Sequence, residues 1–485
     1  MKMQNSSLLC ANVVIAFLCL PVWANITVPS IFSDNVVLQR NVEVPVWGWA
    51  DPGERVTVSL EKQQQTAIAG KDGAWSVKLK KHAEGGPYVI TLTGHNTITL
   101  TNVLFGEVWF CSGQSNMQML VAPSRRSWIA GGVENYAGEV AEADYPQIRM
   151  LTVPFDEKTL SFTPKRDCGG AWIVCSPQSV GEFAAIPYFF GRKLFRDMKV
   201  PIGLINDSLG GSQVEPWIST ETFRREDCLQ PFTAAWEKTW ADYQASLATA
   251  TPKPNPVDHH ITPSALYNGM VAPLVPYGIR GFIWYQGESN AAIAATYAPR
   301  FQALIRDWRR HWARNDLPFL FVQLAPIGGE SYSRLREAQR QALVLPNTAM
   351  IATVDSDFGL HPRKKLPVGE RLALAAEALA YRQHVEYSGP LYAGMTVEGD
   401  AMRLRFTHVG SGLTTGDGRP LKGFAVAGAD GKFVPADAVI AQDAILVSSK
   451  TVPHPVKVRY AWVDDPGCNL INKNGLPAPS FEAGK

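Results

Sequence analysis

Ser115 stands in the run Cys111-Ser112-Gly113-Gln114-Ser115-Asn116-Met117, directly after the apolar stretch Val108-Trp109-Phe110. A short buried strand that ends in glycine and then offers a hydroxyl puts that hydroxyl at the carboxyl edge of a sheet, where open α/β folds place ligands. A nucleophile belongs there. Four later apolar runs end in polar residues of complementary type. Ile202-Gly203-Leu204-Ile205 leads to Asn206-Asp207-Ser208-Leu209-Gly210-Gly211-Ser212, and Gly281 to Tyr285 leads to Gln286-Gly287-Glu288-Ser289-Asn290. Phe319 to Val322 leads to Gln323, and Met350 to Val354 leads to Asp355, Asp357 and His361. A hydroxyl, a tight glycine pair, an amide and an imidazole at successive strand ends form a set suited to acyl transfer, with Ser115 attacking an ester carbonyl and His361 taking the proton. The other histidines, His82, His95, His384, His408 and His454 in β-rich or flanking regions and His259, His260 and His311 in an insertion or on a helix, read as ordinary solvated or core residues.

These side chains need a frame that brings strand ends together. Between the apolar runs, Tyr297, Phe301, Leu304, Ile305, Trp308 and Trp312 recur at helical spacing, as do Leu372, Ala375, Ala376 and Leu379. Strands buried on both faces and alternating with helices predict a parallel, doubly wound α/β sheet of flavodoxin-like type over residues 103–386. An insertion over about 219–264, with a Trp-containing helical piece and the run Thr251-Pro252-Lys253-Pro254-Asn255-Pro256, could overhang a site at the sheet edge or equally form a plain surface excursion. Residues 25–102 show short alternating runs (Val42-Val44-Val46, Val56-Val58-Leu60, Trp75-Val77-Leu79) separated by turn chemistry, which predicts a small sandwich-like β-domain. Alternation returns over 387–485 as a second β-rich region.

The whole chain has 485 residues, too many for one ordinary core. Its net charge of +2, with no basic run, argues against nucleic acid or an anionic membrane as partner and favours a neutral one. Lys2 followed by the apolar stretch Leu8 to Val22 and by Val22-Trp23-Ala24 predicts a cleaved signal peptide over residues 1–24, hence a periplasmic or secreted protein with no membrane attachment after cleavage. Cys10 and Cys19 leave with that leader, so Cys111, Cys168, Cys175, Cys228 and Cys468 remain. In an oxidising compartment Cys168 and Cys175, which flank Gly169-Gly170-Ala171-Trp172, could close a small disulfide loop. No zinc-ligand spacing, phosphate loop or His-Glu-x-x-His occurs, so neither metal nor cofactor is expected; oligomeric state is not legible.

Gly113-Gln114-Ser115-Asn116-Met117, Gly210-Gly211-Ser212, Trp284-Tyr285-Gln286-Gly287-Glu288-Ser289-Asn290, and His361-Pro362 with Val368-Gly369-Glu370-Arg371-Leu372 resemble the blocks of the SGNH hydrolase superfamily. In detail they are similar to its sialate O-acetylesterase-like branch, which includes acetylesterases of plant polysaccharides such as xyloglucan. Val37-Leu38-Gln39-Arg40 and Asn469-Leu470-Ile471-Asn472 with Gly475-Leu476-Pro477 extend the likeness across the mature chain. The resemblance implies an SGNH-type sheet and a serine esterase that deacetylates a carbohydrate, either plant polysaccharide or sialic acid. It implies an oxyanion hole from the N–H groups of Ser115 and Gly211 and the Asn290 side chain. It also implies substrate contacts near Gln114, Asn116, Gln286 and Trp217. The family's Asp three residues before the histidine is Phe358 here, so the orienting acid is open between Glu288 and Asp355, with Asp357 or a backbone carbonyl as alternatives. Two other functions fit parts of the pattern, a non-catalytic carbohydrate-binding protein on a hydrolase scaffold and a lipase or thioesterase with an apolar acyl groove. Trp128, Trp172, Trp217 and Trp284 near the blocks suit stacking on sugar rings better than alkyl chains.

Overall fold

The computed structural model describes residues 25–125, 129, 131–155, 161–462 and 467–484; the expected leader over 1–24 and Trp128 lie outside the described residues. Its central sheet contains β1 (Thr97–Gly113), β2 (Tyr145–Thr152), β3 (Ile173–Cys175), β4 (Ile202–Ser208), β5 (Gly281–Tyr285), β6 (Phe319–Val322) and β7 (Thr348–Ile351). The order across the sheet is β7-β6-β5-β1-β4-β2-β3. Every pair is parallel except β2 with β3 at the edge. β1, β4 and β5 run with all their central residues buried, as strands covered on both faces must.

The principal helices are α1 (Ser115–Gln118), α2 (Ala185–Met198), α3 (Gln230–Ser246), α4 (Tyr297–His311), α5 (Glu330–Arg340) and α6 (Leu366–Leu379). Adjacent residues of a strand point to opposite faces, and β1 shows both faces covered. Trp109 meets Phe190 of α2 with ring centroids 5.0 Å apart, while Phe110 meets Trp308 of α4 at 5.4 Å. The expected α/β class is therefore present. In register, Gly113 lies level with Ser208 on one side and with Tyr285 on the other. The loops that follow these three strands accordingly leave the sheet side by side.

The expected boundary after Asn102 falls inside a single strand. The first part of β1 pairs antiparallel with Gly85–Thr93, and Leu104–Gly106 pairs parallel with Val37–Gln39, so the N-terminal β-structure and the central sheet share one continuous strand. Alternating burial over Thr97–Leu100 gives way to continuous burial from Val103 onward, and Asn102 between them takes a left-handed φ of 55°. The change of pattern was a change of surroundings along one strand.

The C-terminal region forms small antiparallel sheets, one built from Leu391–Glu398, Ala401–Thr407, Asp437–Ala441 and Ala444–Ser448. It has its own core around Met402, Leu404, Ile445, Val447 and Tyr460. Cys168 and Cys175 are not joined; all five described cysteines are free thiols, which corrects the expected disulfide. The two sulfurs face different backbone carbonyls, Gly169 for Cys168 and Ala143 for Cys175. Among the described residues no helix is long and apolar enough to cross a membrane.

Candidate active site

Gly113 ends β1 with φ 139°, and a Cβ there would stand 2.1 Å from the Tyr285 carbonyl oxygen. Only glycine lets β1 and β5 stay paired to their last residue while the chain turns into α1. That turn presents Ser115, 2 % exposed, at the strand edge, and no acceptor for its N–H occurs among the described residues. The loop after β4 is tied beside it, with Leu209 N–H donating to the Gly113 carbonyl (3.0 Å) and Gly210 N–H to Gln118 Oε1 (2.9 Å). Gly211 takes φ 79°, and its N–H likewise has no acceptor among the described residues. Two backbone donors from adjacent loops are thus left open at one edge.

Asn116 joins three elements. Its Nδ2 donates to Glu288 Oε1 (2.5 Å) and to the Leu360 carbonyl (2.9 Å), and its Oδ1 accepts from Lys365 Nζ (2.5 Å). The residue after Ser115 thereby holds the residue before His361. Lys365 is 1 % exposed; burial pulls its amine down to about 7, and Glu288 partly offsets this. Burial pushes the Glu288 carboxyl above its usual range, against the bond from Asn116 and the charge of Lys365. His361 is lowered from 6.5, first by burial and then by the Lys365 charge.

The candidate orienting acids each have partners of their own. Glu288 Oε1 accepts from Asn116, and its Oε2 is buried without a hydrogen-bond partner among the described residues. Asp355 is held by both terminal nitrogens of Arg371 (2.7 and 2.5 Å), and Asp357 pairs with Lys364 (2.6 Å). Cationic neighbours capture both aspartates on the surface.

Other named residues turn inward. Gln114 Oε1 accepts from the N–H groups of Gly287 (3.2 Å) and Ser289 (3.3 Å). Gln286 Nε2 donates to the Ser212 carbonyl and to Asn290 Oδ1, and its Oε1 accepts from the Tyr297 hydroxyl. Trp217, fully buried, donates to Ser212 Oγ (3.0 Å). The polar side-chain atoms of Gln286, Trp217 and Asn116, and Oε1 of Gln114, are thus occupied by the protein. Asn290 is also fully buried: Oδ1 accepts from Val214 N–H (2.9 Å), and Nδ2 donates to Glu215 Oε2 (3.0 Å). One amide hydrogen of Asn290 is left for any other acceptor. Gln323 exchanges two hydrogen bonds with Ser480 and so secures the C-terminal region. Trp172 and Trp284 are buried as well, which removes them and Trp217 as sugar-stacking surfaces.

Sequence reasoning passed over Lys365 and His260. Lys365 closes the run Arg363-Lys364-Lys365, which reads as solvated charge, and only the tertiary fold buries it. His260 lies in the insertion, yet its ring edge sits 2.8–2.9 Å from where a Gly211 Cβ would stand. This part of the insertion therefore lies against the loop after β4.

A sheet edge that offers a serine, a histidine loop and open backbone donors is compatible with ester hydrolysis, and similarity to known proteins supplies the class, a carboxylic ester hydrolase acting on carbohydrate acetyl groups. The family is equally plain. Residues 256–375 match the model described as carbohydrate esterase, sialic acid-specific acetylesterase. The chain is similar to a solved carbohydrate acetylesterase from Xanthomonas citri, 35% identical, covering 95% of this chain and 100% of that one with a TM-score of 0.83. It is 29% identical to the sialate O-acetylesterases of Rattus norvegicus, over 93% of each chain, and Homo sapiens, over 94% of this chain and 92% of that protein. The protein belongs to this sialate O-acetylesterase-like family of carbohydrate acetylesterases.

Proposed function

We propose that the protein is an exported serine esterase that releases acetate from O-acetylated carbohydrate through an acetyl-enzyme on Ser115. One observation carries the assignment: Asn116, covalently next to Ser115, donates to the carbonyl of Leu360, covalently next to His361. The nucleophile and the base are thereby held to one another through their neighbours. Ser115 Oγ attacks the acetyl carbonyl as its proton passes to His361; the tetrahedral oxyanion sits against the N–H groups of Ser115 and Gly211. The C–O bond to the sugar then breaks, and the alkoxide takes the proton from His361. Water, deprotonated by the same imidazole, attacks the acetyl-enzyme and frees acetate and Ser115. Glu288, Asn116 and Lys365 act as positioning residues for the His361 loop. The expected leader over residues 1–24 supports export, and acetylated plant polysaccharides or O-acetylated sialic acids are the substrates to try first.

Ser115→Ala is expected to reduce acetate release to background while leaving the folded protein intact, since the hydroxyl makes no packing contribution of note. Hydrolysis of 4-nitrophenyl acetate measured beside the octanoate ester reads this. More than a few per cent residual activity, or faster turnover of the octanoate, would overturn the assignment.

A further inference from the structure

The insertion delivers a second imidazole to the open side of the loop after β4. Gly211 and Gln213 are the partly exposed residues of that loop, between buried neighbours. His260 covers Gly211 with its Cδ2–Nε2 edge, 2.8 and 2.9 Å from the position of a Gly211 Cβ. Several bonds fix it there. Gln213 N–H donates to the His260 carbonyl (2.9 Å), and Thr262 N–H donates to the Asp258 carbonyl (2.8 Å). Asp258 N–H donates to Thr262 Oγ1 (2.9 Å), and Thr262 is fully buried. The ring also lies against His259, centroids 3.8 Å apart, which in turn contacts Phe155.

The orientation of the ring decides its chemistry. Nδ1 lies 2.8 Å from Asp258 Oδ1, and the same oxygen accepts from the His260 N–H at 2.8 Å. Burial works against the Asp258 charge, yet the His260 donors hold its carboxyl below the usual range. An ionised carboxylate only accepts, so Nδ1 carries a hydrogen and Nε2 is the ring nitrogen left to face a ligand, with a lone pair when the ring is neutral. That nitrogen stands over Gly211, an oxyanion donor in the mechanism proposed above, on a side chain 38% exposed. The partners of this family are carbohydrates, which are rich in hydroxyl donors.

We propose that His260, oriented by Asp258, contacts the substrate: its Nε2 accepts a hydrogen bond from a free sugar hydroxyl near the acetylated oxygen, so the insertion reads which position of the sugar is acetylated. The inference rests on Ser115 as nucleophile and Gly211 as an oxyanion donor. A site built to pair a hydroxyl discriminates against esters that lack one, because its own polar atom is then left unpaired.

The test compares an acetylated carbohydrate with an ester that carries no hydroxyl. For wild type, His260→Ala and His260→Gln, kcat/KM is measured on 4-nitrophenyl acetate and on whichever of acetylated xylo-oligosaccharide, acetylated xyloglucan oligosaccharide or 9-O-acetylated sialic acid the wild type cleaves fastest. In His260→Ala the ratio of carbohydrate to 4-nitrophenyl acetate should fall about tenfold, the worth of one hydrogen bond. His260→Gln, whose amide oxygen can accept, should recover part of it. A ratio unchanged in His260→Ala, whether both rates fall together or neither falls, overturns the proposal. Wild type inactive on all these esters, or Ser115→Ala still active, would instead overturn the esterase site, and the inference with it; that failure shows before any His260 variant is made.

Discussion

Asn116 holds the nucleophile helix, the third strand-end block and the histidine loop with one amide, and removing it releases all three. Asn116→Ala is expected to lower kcat on 4-nitrophenyl acetate by about 100-fold or more, in the range seen when catalytic geometry is lost, with KM little changed. Glu288→Gln keeps an acceptor toward Asn116 and should cost less than about tenfold, whereas an acid that orients the catalytic histidine costs on the order of 10⁴. A loss of that larger size would return Glu288 to the role of His361 partner. The pH profile carries the same logic. With His361 as the proposed base its neutral form is the competent one, so activity should disappear as pH falls through its pKa, which burial and the Lys365 charge lower from 6.5. Replacing Lys365 by Met should move the acid limb upward; a wild-type midpoint above 6.5 would contradict the burial of the ring. That Ser115, Gly211 and His361 follow the ends of β1, β4 and β7 was legible because each apolar run gives way to polar residues there. The partner of Glu288 was not, because nothing in Gly287-Glu288-Ser289 says which neighbour the fold will bring.

Apolar runs predicted β1 and β4 to β7, and the positions from Tyr297 to Trp308 predicted α4, since each element buries what its period aligns. The boundary expected at Asn102 rests on a change of burial pattern that lies within one strand, which passes from one sheet environment to another. β4 holds a further feature that sequence alone hides. Asp207, level with Ser112 of β1, is fully buried, and neither carboxylate oxygen has a hydrogen-bond partner among the described residues. Burial raises its pKa well above 3.8, so the folded protein favours the protonated acid. The stability this group contributes is fully present below 3.8 and is lost as pH rises through the folded-state value. Asp207→Asn cannot ionise, so urea unfolding should show the variant gaining on wild type between about pH 5 and pH 8. A gap that moves the other way would mean that Asp207 is ionised and paired.

Two cores divide the molecule unequally. The larger joins N-terminal residues such as Val56, Val58 and Leu92 to the central sheet, while the smaller belongs to the C-terminal strands and takes in Val354 from the segment that leads to His361. Native-state hydrogen exchange should therefore find amides of Arg55–Leu60 opening together with those of Val103–Phe110, and amides of Ala401–Thr407 opening in a separate, less costly step. Independent opening of Arg55–Leu60 would mean that the shared strand does not couple the two regions.

That shared strand has a history written into its pairing. The partners of its first part, Val37–Gln39 and Gly85–Thr93, precede it in the chain and are available as soon as it leaves the ribosome. The partners of its second part, Ile202–Ser208 and Gly281–Tyr285, are made much later. During synthesis the N-terminal β-structure can close on half of the strand while Val108-Trp109-Phe110, destined for burial on both faces, waits with bare edges. Long-range parallel pairing of this kind is slow and leaves apolar strand exposed to aggregation. The stretch that leads to Ser115 thus keeps an unpaired edge until the third strand-end block has been made.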